Sequence, residues 1–107
     1  MKIIQPDSTA VTEIAFDPSA DRGDVLVRFK DGNTTYRYGP WTLAGLKRAV
    51  TGSGSLGREL AKLRRNEGDA VDNFFGSCAE AMQVWNLRAH KRVSATLNCG
   101  ASAVLAF

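Results

Sequence analysis

A chain of 107 residues, 44% hydrophobic and 23% charged, has room for one core and is too apolar to belong with disordered proteins. Its 14 Lys and Arg against 11 Asp and Glu leave a formal charge of +3, too small a bias to define a partner, so local clustering must decide. No apolar run reaches the roughly 18 residues of a membrane span, and the first residues resemble neither a secretory signal nor an Arg-rich transit peptide. Cys78 and Cys99 lack disulfide or zinc spacing, which points to a reduced, cytoplasmic protein.

Ala10 to Phe16 (AVTEIAF) is rich in β-formers, with Ile14 and Phe16 on one side and Glu13 on the other, and reads as a first strand. Asp17 to Asp24 (DPSADRGD) reads as a loop. Val25 to Lys30 (VLVRFK) alternates as a second strand, and Asp31-Gly32 tolerates the positive φ values of a type I′ hairpin turn. With a two-residue turn, Val27 faces Tyr36, Val25 faces Tyr38 and Phe29 faces Thr34, so the apolar residues share one surface and Arg28, Lys30 and Arg37 share the other. A three-residue turn with a bulge would shift that register by one.

Gly39-Pro40 is expected to stop the third strand. Thr42 then caps a short helix, with Trp41 and Leu46 placed to form a hydrophobic staple. Thr51 to Ser55 (TGSGS) breaks that helix, and Ser55 opens a second one that turns Leu56, Leu60 and Leu63 toward the core and Arg58, Lys62 and Arg65 away from it. From Asp69 to about Lys91, Val71, Phe74, Phe75, Cys78, Met82 and Trp85 follow a helical period, which predicts one long amphipathic helix. The apolar stretch from Ser94 to Phe107 fits either a late edge strand or a poorly ordered tail.

The expected architecture is therefore α+β: a three-stranded antiparallel β-meander, two short helices, a long C-terminal amphipathic helix and an apolar tail. It makes a single domain with a 1–66 part and a 67–107 extension packed on the same core.

Four features bring the stretch from Ser8 to about Arg65 close to a known module. They are Ser8-Thr9-Ala10-Val11 followed by Ile14, Phe16 and Asp17; Leu26-x-Arg28-Phe29-x-x-Gly32; Tyr36-Arg37-Tyr38; and Ser55-x-Gly57. In order and spacing they resemble the KTSC domain, found at the C-terminus of some lysyl-tRNA synthetases and as stand-alone bacterial or phage proteins. Where that family tends to have Val before the proline this chain has Gly39, and where it has an aromatic pair with Asn this chain has Glu59, Leu60 and Ala61. The resemblance implies a small binding module, with RNA suggested by the synthetase setting.

Catalytic chemistry is hard to assemble from these residues. One His and two distant Cys do not make a zinc site, and no cofactor is implied. Gly52-Ser53-Gly54-Ser55-Leu56-Gly57 follows a helix and lacks the lysine of a phosphate loop, so a flexible helix-to-helix turn is the simpler account. Cys78 and His90, twelve positions apart on one predicted helix, would stand about 18 Å from each other, beyond the reach of a nucleophile and its base. Cys78 is better explained as a core thiol.

Two binding readings remain. In the first, Arg58, Lys62, Arg64 and Arg65 join Arg88, Lys91 and Arg92 in one basic patch for RNA, with Arg37, Arg28, Tyr36 or Tyr38 adding contacts. Solvated charge and core packing of the two tyrosines are the plainer explanations of the same residues. In the second, the chain binds another protein, as a phage-type accessory protein that inhibits a host or defence complex, or forms a homodimer through the Val71 to Trp85 stripe.

Overall fold

In the computed structural model, which describes residues 1–87, five strands form one antiparallel sheet in the order of the sequence. They are β1 (Lys2–Ile4), β2 (Val11–Phe16), β3 (Arg22–Phe29), β4 (Thr34–Thr42) and β5 (Ala70–Phe75). Helices α1 (Leu43–Thr51) and α2 (Leu56–Glu67) lie between β4 and β5, and α3 (Cys78–Val84) follows β5. The α+β class holds, but the meander has five strands, not three.

The hairpin keeps its expected register, with Val27 opposite Tyr36 and Val25 opposite Tyr38. The turn differs. Neither Asp31 nor Gly32 takes a positive φ, so it is not type I′; pairing across the loop sets the register without it. Gly39-Pro40 does not stop the strand either: the bond is cis and β4 runs on to Thr42, pairing Trp41 with Gly23 and Thr42 with Arg22. That pairing also makes Arg22 to Asp24 strand, where a loop was expected.

Period-2 alternation of a twisted sheet gives it two apolar faces, and both are covered. On the first, Ile14, Phe16, Val25, Val27, Tyr38 and Trp41 pack against Leu46, Leu60 and Leu63 of α1 and α2. Thr42 caps α1 as expected, accepting from the Gly45 amide at 3.2 Å, and the staple pair Trp41 and Leu46 is almost wholly buried. The Glu67 carboxylate, at the far end of α2, accepts from the Thr42 amide at 2.8 Å and its hydroxyl at 3.0 Å, so one helix end secures the other. Gly45 permits this closeness: a Cβ there would stand 2.8 Å from a Leu63 methyl and 2.7 Å from Glu67. Ser55 precedes α2 in extended conformation without a side-chain cap.

The second face is where the long helix fails. Ala70–Phe75 is a strand paired with β4, and among the described residues of that stretch only Cys78–Val84 is helical. Gly76, at φ +149°, turns the chain between them, and Ser77 and Glu80 form a reciprocal capping box that starts α3. Cys78 and Ala81 then pack on Ala15 and Leu26, with Phe74, Met82, Trp85 and Leu87 around them. The Val71 to Trp85 stripe proposed as a homodimer seam is thus divided: Val71 is exposed on the edge strand while Cys78 is buried on the inner side of α3. The apolar stretch from Ser94 onward lies outside the described residues.

Candidate functional site

The charge of the described residues is segregated by layer. Helices α1 and α2 hold six basic residues, Lys47, Arg48, Arg58, Lys62, Arg64 and Arg65, against Glu59 and Glu67, a surplus of four. The rest of residues 1–87 holds five basic against nine acidic residues, a deficit of the same size. All six basic side chains of the helices are exposed, and both acids are partly buried. Glu67 is engaged at Thr42, and Glu59 meets Lys62 at 3.0 Å. Arg64 pairs with Asp69 at 3.4 Å across two exposed side chains, an interaction worth little in water.

Amphipathic helices packed on a sheet turn their polar faces outward, so Arg58, Lys62 and Arg65 share one outer face as the sequence indicated. Arg88, Lys91 and Arg92, expected to complete the patch, lie outside the described residues. Sequence reasoning passed over Lys47 and Arg48; their place on the same helical layer was visible in α1 once that helix was drawn.

Arg28 and Arg37 are not the open contacts the hairpin implied, because α3 covers their face. Arg28 meets Glu13 at 3.4 Å and hydrogen-bonds the Asn33 side chain. Arg37 donates from Nε to Asp24 at 2.8 Å and lies over the Trp85 ring, 5.6 Å from its centroid. Arg37 thus ties the sheet to the chain that crosses it, and Arg28 ties β3 to β2 and to the hairpin loop.

The tyrosines divide. Tyr38 is buried, stacked on Trp41 at 4.7 Å between centroids, and burial is the main reason its phenol is pushed above the ordinary range, with the nearby Arg64 guanidinium pulling it back. Tyr36 is half-buried, 6.3 Å from Tyr38 and edge-on to Phe29 at 5.8 Å. With Thr34, Ala70, Asp31, Asp69 and Arg64 these rings line an open groove of about 470 Å³ at the end of the sheet that the helices leave uncovered.

Cys78 is buried, and burial first, then the Glu13 carboxylate, pushes its thiol up to about 12, so at neutral pH it is not a thiolate nucleophile. Its amide donates to Glu13 at 3.3 Å. His90, the imagined partner of Cys78, lies outside the described residues. Among the described residues no group of three or more His, Cys, Asp or Glu gathers to hold a metal ion, and no helix is long and apolar enough to cross a membrane. No family model matches the chain, and neither the curated proteins nor the solved structures give a match.

Proposed function

We propose that the chain is a non-catalytic, cytoplasmic macromolecule-binding module that engages RNA through the outer surface of α1 and α2. The observation that carries this reading is the charge segregation: six exposed basic side chains on two adjacent helices, with the acidic residues concentrated elsewhere. A polyanion lying along the helices gains from several guanidinium and ammonium groups while remaining distant from most carboxylates, and releases counterions as it binds. The resemblance to the KTSC domain agrees with this reading.

The test is fluorescence anisotropy of a labelled single-stranded RNA across a salt series from about 50 to 200 mM. Affinity falls steeply with salt, and the double variant Arg58→Ala, Arg65→Ala reduces the slope of log K against log salt by about 1.4, at roughly 0.7 for each single-strand phosphate that is no longer neutralised. Binding insensitive to salt, or an unchanged slope in the double variant, rejects the RNA surface.

A protein partner, including a host or defence complex inhibited by a phage-type protein, is the second reading. It is favoured by the edge strand β5, whose Val71 and Phe75 are 66% and 76% exposed. Affinity capture with and without nuclease separates the two: a partner released by nuclease treatment supports RNA, and one that persists supports a protein interface.

A further inference from the structure

The groove beyond the helices has the opposite electrostatic character from the helical surface. The antiparallel register fixes its two ends: Asp31 and Gly32 lie at the hairpin tip, next to Phe29 and Thr34, and Asp69 and Arg64 lie beside Tyr38 and Ala70. Its floor is aromatic throughout, since Phe29, Tyr36 and Tyr38 follow one another along one side of β3 and β4 at 5.8 Å and 6.3 Å. Aromatic faces carry negative quadrupole charge, so a floor of π-systems flanked by two carboxylates attracts cations.

Half of this arrangement is already occupied from within the chain. At the Tyr38 end, the Arg64 guanidinium stands beside the Tyr38 hydroxyl and pairs with Asp69 at 3.4 Å. At the Asp31 end the same kinds of group recur, two rings and a carboxylate, and Asp31 makes no ion pair with any described residue. Elsewhere the molecule shows the same combination complete: Arg37 lies over Trp85 at 5.6 Å while its Nε donates to Asp24. The chain thus uses ring, carboxylate and guanidinium together twice and leaves a third set without its cation.

We propose that this groove is a second binding site, distinct from the helical surface, that takes an arginine side chain presented by a peptide segment of a partner protein, laid over Phe29 and Tyr36 and paired with Asp31. A cavity of about 470 Å³ is ample for one such side chain and its flanking backbone. A nucleic-acid strand fits the groove less well, because two carboxylates, Asp31 and Asp69, line it against the single guanidinium of Arg64. The groove touches the helical surface at Arg64 alone, and its Asp31 end shares no residue with that surface.

The experiment titrates the peptide acetyl-Gly-Arg-Gly-Arg-Gly-amide into the full-length ¹⁵N-labelled chain, beside a peptide with citrulline in place of both arginines. Amide shifts in Asp31 to Tyr38 are expected, with the citrulline peptide binding about two- to fivefold more weakly, the effect of one exposed cation–π interaction. Asp31→Asn weakens arginine-peptide binding by a similar factor while leaving RNA affinity unchanged, and Tyr36→Ala weakens arginine-peptide binding likewise. Should Tyr36→Ala unfold, Tyr36→Leu keeps the packing, removes the ring and weakens binding equally. Equal binding of the two peptides, shifts confined to other acidic surfaces, or a single-stranded oligonucleotide moving the same groove amides overturns the proposal. Loss of RNA binding in Arg58→Ala, Arg65→Ala with the peptide shifts intact leaves this site standing and tests only the helical surface.

Discussion

The two faces of the sheet are covered by different means. On one, α1 and α2 bury Trp41, Leu46, Leu60 and Leu63 over a broad apolar layer, and polar groups do little beyond capping the helix ends. On the other, a seven-residue helix buries little more than Cys78 and Ala81 and is held by polar ties instead: Glu13 accepts from the Cys78 amide and from Arg28, and Arg37 joins Asp24 to Trp85. A helix too short to stand on apolar area depends on directed interactions, so the second face should loosen before the first.

The largest expected effect lies on the first face. Trp41 is 1% exposed and its indole N–H donates to the Gly68 carbonyl at 2.8 Å, so Trp41→Ala costs about 3 to 5 kcal/mol and brings down both faces together. Urea unfolding measures it; a loss under about 1 kcal/mol would mean the broad layer does not carry the fold.

Next comes Glu13→Ala, which removes the carboxylate that accepts from Arg28 Nη1 and from the Cys78 amide and costs about 1 to 3 kcal/mol. Hydrogen exchange distinguishes the faces here: α3 amides lose protection while those of α1 and α2 retain most of theirs. Uniform loss across all three helices would show that the faces are not separable.

The smallest effect is the response of the second face to pH. An unfolded thiol ionises near 9 and the buried Cys78 near 12, so the stabilisation from keeping it protonated is complete below about 9 and is lost as pH rises toward 12. Between pH 9 and 10, where the thiol dominates and Tyr38 on the first face only starts to add in the same direction, unfolding free energy falls by up to about 1.4 kcal/mol per pH unit from Cys78. Cys78→Ala flattens that limb, and an identical alkaline slope in the variant would place the sensitivity elsewhere.

The same contrast explains what could be read in the sequence. The first face was legible because its signals are local and agree: alternation in β3 and β4, Thr42 as a cap, and Leu60 and Leu63 at helical spacing. The second was not, because Val71, Phe74, Phe75, Cys78 and Met82 fit a helical stripe although the first three lie on a strand. The signal that resolves the ambiguity was present in Gly76 followed by Ser77-x-x-Glu80, a stop and a capping box in mid-stripe, outweighed by periodicity alone. β1 was missed because three residues carry too little pattern to separate a strand from an irregular start. The outward placement of Arg58, Lys62 and Arg65 was legible from their helical spacing; the covering of Arg28 and Arg37 was missed because the element over them was assigned the wrong shape.

The opposed charges of the helical layer and the rest of residues 1–87 sum to zero, with eleven basic and eleven acidic residues in all. A body with separated poles experiences a torque near a charged surface, in addition to the pull on the formal charge of +3 that the whole chain carries. Approaching a polyanion, this protein would rotate so that α1 and α2 lead, arriving already oriented rather than searching for the productive pose by repeated collision.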